Sequence, residues 1–287
     1  MLSIILPRAS VSAKRIQEIL TMKNSIVEKE KIQLLDSEGG NVEFRDVCFS
    51  YPGAEEEVLS NISFTARPGE TTAIIGSTGC GKSTVVNLIP RFYDVTKGEI
   101  LIDGVNIKDA SLKELRGLLG YVPQKGVLFS GSIESNIKFS NEEMSDEQMK
   151  MAAEIAQASS FIEEKPDQYD SVIAQGGTNV SGGQKQRLSI ARAIAKSPKI
   201  YIFDDSFSAL DYKTDVLLRK ALKEKTENST VIIVAQRIST ILNAEQIIVL
   251  DDGKIAGIGN HKELMKSCEV YQQIASSQLS KEELENE

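Results

Sequence analysis

Four short apolar runs, at residues 73–75, 200–203, 231–234 and 247–250, punctuate the chain without alternating polar positions. Such runs suit strands buried on both faces of a parallel sheet. Closer to the N-terminus, Val42 and Phe44, then Val47 and Phe49, predict strands around a turn or bulge. Ile62 and Phe64 ahead of Pro68-Gly69 predict another strand ending in a turn, so an antiparallel layer is expected before the first buried run. Residues 98–104 read as a strand and turn, 112–118 as a helix and Tyr121-Val122 as a short strand. From 128 to 197 the apolar period becomes helical, as in Met149, Ala152, Ala153 and Ala156, and again in Leu188, Ile190, Ala191, Ala193 and Ile194. A further helix is predicted over 214–225. The pattern describes an α/β core of mixed sheet, with an antiparallel β layer and an inserted helical subdomain at about 126–197.

The ends read differently. Residues 2–6 are a short apolar stub, 8–20 place Val11, Ile16, Ile19 and Leu20 near helical spacing, and 21–40 form a linker rich in Lys, Glu, Ser and Gly. The main domain is expected over 41–265, followed over 266–287 by a C-terminal helix and an acidic tail that frays from Ser280. With 41% hydrophobic and 26% charged residues among 287, the composition is that of an ordinary folded protein. A formal net charge of -8 argues against a broad nucleic-acid surface, so no nucleic-acid partner is expected. Three cysteines, Cys48, Cys80 and Cys268, show neither metal-ligand spacing nor an even-numbered disulfide framework, and a reducing cytosol is the simplest compartment. No secretory signal and no apolar stretch of about 18 residues is present.

The chemistry concentrates after the first buried run. Gly76, Ser77, Thr78, Gly79, Cys80, Gly81, Lys82 and Ser83 fit the phosphate-loop pattern GxxxxGK[ST], ahead of a helix that starts with Thr84. The glycines let backbone N–H groups turn toward phosphate oxygens, Lys82 adds a point charge, and the Ser83 hydroxyl can reach Mg2+. A nucleoside triphosphate is therefore expected here. Asp204 closes the buried run 200–203, at the carboxyl end of a strand that faces the ligand crevice in open α/β sheets, where it can hold Mg2+ opposite Ser83. Ser181, Gly182, Gly183 and Gln184 open the helical run 188–196 and form an anion site from free N–H groups, or a plain helix cap. Cys80, beside Lys82 and the loop N–H groups, is expected to be alkylatable and shielded by ATP.

The phosphate loop, Ser181-Gly182-Gly183-Gln184 with its trailing Lys185-Gln186-Arg187, the strand ending in Asp204, and Ser208-Ala209-Leu210-Asp211 resemble the nucleotide-binding domain of an ATP-binding cassette (ABC) transporter over roughly 41–265. The resemblance implies a P-loop NTPase fold and ATP with Mg2+ as ligands. It implies two such domains pairing head to tail, the Ser181–Gln184 loop closing over the partner's nucleotide. It also assigns Tyr51 to stacking on adenine, and Gln124 to linking Mg2+ and the attacking water to the helical insertion. Without it, Tyr51 is a strand aromatic and Gln124 a surface polar residue. Arg91-Phe92-Tyr93-Asp94 and residues 128–133 resemble exporters whose membrane and ATPase domains share one polypeptide. Residues 6–16 look like the exit from a last membrane helix, so the chain is expected to be a piece of a longer one on the cytoplasmic face of the cell membrane.

Two residues and one short segment depart from the family pattern. The catalytic base is a Glu where this chain has Asp205, the switch histidine is replaced by Gln236, and Gln175-Gly176-Gly177 stands for the more usual Glu-Arg-Gly. Asp draws the carboxylate back by roughly 1 Å, a misplacement that can cost about a hundredfold in rate. Gln hydrogen-bonds phosphate without carrying charge or relaying a proton. These changes resemble the degenerate half of a heterodimeric exporter, whose own site hydrolyses slowly and whose partner is a different chain with intact Glu and His. The sole histidine, His261, is expected to cap a helix or lie on the surface. The alternatives are a self-sufficient homodimeric ATPase, a chromosome- or repair-type cassette ATPase, and a nucleotide-gated interaction module. The short spacing between phosphate loop and Ser181 disfavours the second.

Overall fold

The computed structural model describes residues 2–22, 24–35 and 39–279. The N-terminal helix α1 (Leu2–Leu20) begins earlier than the periodicity indicates and contains Pro7. Its apolar residues Val11, Ile16, Ile19 and Leu20 are exposed. The core then runs β1 (Val42–Phe49), β2 (Leu59–Ala66), β3 (Thr71–Gly76), α2 (Lys82–Leu88), β4 (Lys97–Ile102), β5 (Val105–Asn106), α3 (Leu112–Leu118) and β6 (Leu119–Val122). Next come β7 (Gly131–Ser132), α4 (Ile133–Ile137), α5 (Asp146–Ile155), α6 (Ser159–Glu163), β8 (Val172–Ile173) and α7 (Gly182–Ala195). The chain closes with β9 (Ile200–Asp204), α8 (Tyr212–Lys225), β10 (Thr230–Val234), α9 (Ile238–Ile241), β11 (Gln246–Asp251), β12 (Lys254–Gly259), α10 (His261–Ser267) and α11 (Glu269–Gln278).

Two principal sheets carry the fold. The antiparallel layer has the order β2-β1-β4-β5, and the main sheet the order β12-β11-β3-β10-β9-β6, parallel except for β12 at its edge. The two apolar pairs expected to flank a turn lie in one strand, β1, whose register shifts between Phe44 and Val47 against β2. A bulge with Asp46 at φ 47° absorbs the extra residue without breaking the strand.

The buried runs separate two cores. Ile200, Ile202, Ile232, Val234 and Ile74 face the side shared with β1 and α2, whereas Tyr201, Phe203, Val231 and Ile233 join the cluster containing the helices of 133–194. Alternate residues of one strand thus meet different apolar neighbours, which is why no polar position interrupts the run. The helical excursion leaves the sheet after β6 and returns as β9, which pairs with β6 in parallel. It therefore grows out between two neighbouring strands.

His261 is not on the surface. It is the first residue of α10 and is buried, Asn260 supplies the cap, and the imidazole Nδ1 lies 2.7 Å from the Tyr271 hydroxyl. The cause is α11, which packs against α10 and brings Tyr271 over the ring. Residues from Ser280 onward, expected to fray, lie outside the described residues.

Candidate nucleotide site

The phosphate loop leaves the C-terminal end of β3, in the middle of the main sheet, and turns into α2. Its path requires glycine at two points. A Cβ on Gly76, at φ 158°, would run into the Leu250 carbonyl, and one on Gly81, at φ 100°, would stand 2.7 Å from Leu59 Cδ2. Gly79, at φ 86°, has nothing within 4 Å of such a Cβ, so the loop opens toward free space on that side. Lys82 is buried along its stem and its ammonium donates to the carbonyls of Gly76 at 2.9 Å and Ser77 at 2.7 Å. Cys80 departs from expectation: its side chain sits in the core cluster with Leu59, Val85 and Leu250, so the thiol is not presented to a reagent.

Ser83 and Asp204 meet as expected, the Ser83 hydroxyl donating to Asp204 Oδ1 across 2.9 Å. Parallel pairing of β9 with β10 and β6 brings Asp204 to the same end of the sheet as the loop. Burial pushes the Asp204 carboxyl above the usual range, the Ser83 hydrogen bond opposes that rise, and the charge of Asp205 adds to it. Two hard oxygen donors of this kind fit Mg2+, which takes one or two protein ligands and fills its octahedron with water and phosphate oxygens.

Asp205, Gln236 and Gln124 converge from three segments. Asp205 Oδ2 accepts from Gln236 Nε2 at 2.6 Å and from Gln124 Nε2 at 3.1 Å. Asp205 itself stands at φ 47°, in the left-handed region, and its N–H donates to the Val234 carbonyl at 3.0 Å. Strain at a non-glycine residue in this region is held by surrounding structure, here β10 and the Ser208 hydroxyl, which donates to the Asp205 carbonyl at 2.9 Å. Tyr51 is half-buried in an aromatic group with Phe49 and Tyr93, its hydroxyl 3.0 Å from Thr84 Oγ1.

Ser181 to Gln184 stand apart from these groups. Ser181 Oγ accepts from the Gln184 N–H and Gln184 Oε1 accepts from the Ser181 N–H, a capping box at the start of α7. No hydrogen bond among the described residues joins this loop to 76–84. Gly183 instead approaches the Ala209 carbonyl, so the helix start packs on the 208–211 segment.

The sequence placed Gln186 only within the Lys185-Gln186-Arg187 segment and assigned it no contact of its own. Gln186 is buried, accepts from the Gly126 N–H at 3.0 Å and donates to the Pro123 carbonyl at 3.2 Å. It thereby pins the segment carrying Gln124 onto the helix that starts at the Ser181 loop. The signal was available: a polar residue at 186 shares the helix face of Ile190 and Ala193, which are buried. Beside this segment, Phe92, Tyr121, Pro123, Val127 and Phe139 help to line a groove of about 830 Å³.

A phosphate loop between a central parallel strand and a helix, with an acidic strand end opposite, defines a P-loop NTPase fold. The profile of the family described as ABC transporter matches residues 59–208, and the chain belongs to that family. It is 44% identical to an uncharacterized ABC transporter ATP-binding protein of Mycobacterium bovis over 96% of this chain and 47% of that protein. It is likewise 44% identical to an ATP-dependent lipid A-core flippase of Haemophilus influenzae over 84% of this chain and 41% of that one. The solved structure of a bacterial Atm1-family ABC exporter with ATP bound superposes with a TM-score of 0.90 at 33% identity, over 96% of this chain and 48% of that chain. The chain thus spans about half the length of the curated relatives it matches. Among the described residues no helix is long and apolar enough to cross a membrane.

Proposed function

We propose that this chain is the ATP-binding engine of a membrane exporter, retaining ATP at its own phosphate loop and completing a faster site on a different partner chain. The observation that carries this reading is the hydrogen-bonded cluster of Asp205, Gln236 and Gln124. One oxygen of a shortened acid already accepts two neutral amides, so a water must compete for it, and neither amide can relay a proton.

The remaining roles follow from placement. Backbone N–H groups of Gly76, Ser77, Thr78, Gly79, Cys80 and Gly81, with Lys82 and Thr84, bind the triphosphate, and Tyr51 supports adenine. Ser83, Asp204 and Gln124 hold Mg2+, which when bound neutralises phosphate charge. Asp205 orients water weakly, and Gln236 hydrogen-bonds the terminal phosphate without adding charge. Ser181, Gly182, Gly183 and Gln184 serve the partner's nucleotide in a head-to-tail dimer that ATP closes. The exposed start of α7, already capped and clear of its own phosphate loop, supports that assignment.

The division into 1–40, 41–265 and 266–287 belongs to the same proposal, the first part being the exit from a membrane domain. The groove lined by Phe92, Val127 and Phe139 offers that membrane domain an apolar seat on the cytoplasmic face, and its wall at Tyr121 and Pro123 leads to Gln124. Names of relatives, a lipid flippase among them, support export. The test is reconstitution. Mixing this chain with a partner carrying the intact Glu and His should give phosphate release that Ser181→Ala in this chain abolishes. Turnover by this chain alone at the rate of the mixture would overturn the reading.

A further inference from the structure

Helix α9 begins without a cap of its own. Its N-cap residue, Arg237, offers no side-chain hydrogen bond to the helix start, although four N–H groups at such a start need partners. The missing acceptor comes from the far end of the fold. Gln278, the last residue of α11, accepts from the Ile238 N–H at 2.8 Å through Oε1 and donates to the Gln236 carbonyl at 2.9 Å through Nε2. One side-chain amide thus grips the backbone on both sides of Arg237, and only one orientation of that amide satisfies both contacts.

The helix that delivers Gln278 is anchored. Tyr271 and Ala275 are fully buried, and with Gln278 they recur at a spacing of four and then three residues, which places all three on one helix face. Tyr271 is tied to the buried His261, and the Leu279 N–H donates to the Ala275 carbonyl at 2.8 Å, closing the helix. Helix α11 packs against α9, β11 and β3, the last being the strand that leads into the phosphate loop. Gln278 itself reaches no group that would touch a nucleotide. It acts on Gln236, whose side chain holds Asp205 at 2.6 Å.

We propose that Gln278 is the positioning residue for Gln236, so that the C-terminal helix controls how firmly the nucleotide site is held. This rests on the reading of Gln236 as a phosphate contact given above. Losing the clamp frees the backbone at Gln236, and ATP should leave faster. The contact to the Gln236 carbonyl, one hydrogen bond of ordinary net strength, corresponds to roughly a 2- to 10-fold change.

The experiment uses the full chain and two readouts: amide hydrogen exchange at Ile238 without nucleotide, and stopped-flow release of a fluorescent ATP analogue with Mg2+. Gln278→Ala should raise Ile238 exchange and speed release about 2- to 10-fold, with a single cooperative urea transition shifted only slightly to lower urea. Gln278→Glu keeps an acceptor for Ile238 but sets a carboxylate against the Gln236 carbonyl. It should speed release while leaving Ile238 protected. In a Gln236→Ala background neither change should speed release further. Wild-type release rates in both Gln278 variants, or equal acceleration in that background, would overturn the proposal. Unaltered release in Gln236→Ala alone would overturn the underlying reading of Gln236, while the Ile238 exchange would still show whether the cap exists.

Discussion

The side-chain amide of Gln236 donates to Asp205 Oδ2 across 2.6 Å, so the two residues proposed to slow hydrolysis at this chain's own site are in direct contact. A longer acid at 205 would push its carboxylate roughly 1 Å further, into the space the Gln236 amide occupies. The substitutions are therefore coupled. Asp205→Glu alone should raise hydrolysis little, whereas Asp205→Glu with Gln236→His should raise it up to about a hundredfold at this chain's own site. Phosphate release in a dimer whose partner site is disabled measures this. Effects that simply multiply would show that the contact has no part in the chemistry.

Gly182 separates folding from function at the Ser181 loop. A Cβ added there meets nothing within 4 Å, and Gly182 is absent from the positive-φ glycines, so Gly182→Ala fits the fold. Relief of glycine's backbone entropy should leave the isolated chain as stable or more so, by at most about 1 kcal/mol. Under the proposed head-to-tail pairing, turnover at the partner's site should nonetheless fall, because the methyl group would enter the space assigned to the partner's nucleotide. Thermal unfolding and the ATPase rate of the mixed dimer test the two halves. Unchanged turnover would remove this loop from the partner's site.

Ser83 and Asp204 should reveal themselves through the metal. Ser83→Ala removes the donor that holds Asp204 Oδ1 at 2.9 Å and, with it, the oxygen proposed to bind Mg2+. ATP affinity in the presence of Mg2+ should drop at least about tenfold, while affinity in a chelator should change little. Titration calorimetry under both conditions is the measurement. An equal loss in both would mean that the hydroxyl serves the loop and not the metal.

Much of the fold was legible because burial on both faces writes itself as uninterrupted apolar runs: Ile202 and Ile232 face one core, Phe203 and Ile233 the other. Strand β12 was not, since its half-exposed positions alternate with exposed ones and Gly257 and Gly259 dilute the signal. His261 was misplaced for a related reason. Its neighbours Lys262 and Glu263 are polar, and the partner that buries it, Tyr271, lies ten residues on. Within the site, Lys82, Ser83 and Asp204 carried local motifs. The contacts of Gln236 with Asp205 and of Gln278 with Gln236 join segments that no pattern in the chain connects.

Cys80 now carries a prediction opposite to the one its neighbours suggested. Cys48, Cys80 and Cys268 are all free and buried. Reaction with a thiol reagent should require opening of the fold, and the three should become reactive together across the urea transition. Selective labelling of Cys80 in the native chain would place its sulfur on the phosphate side of the loop.

Gln186 offers the sharpest test of how the helical insertion reaches the site. Its amide satisfies the Gly126 N–H and the Pro123 carbonyl, which flank Gln124 and Lys125. Gln186→Ala leaves both backbone groups without that partner and should cost about 2 kcal/mol in urea unfolding. Gln186→Glu preserves the acceptor for Gly126 but loses the donor to Pro123, so it should retain part of the stability. Both should also loosen Gln124, whose side-chain amide donates to Asp205 Oδ2 at 3.1 Å. The Mg2+ dependence of ATP binding should therefore weaken in step with the stability loss, Gln186→Ala more than Gln186→Glu. A stability loss with unaltered Mg2+ dependence would confine Gln186 to a packing role and leave Gln124 positioned by other means.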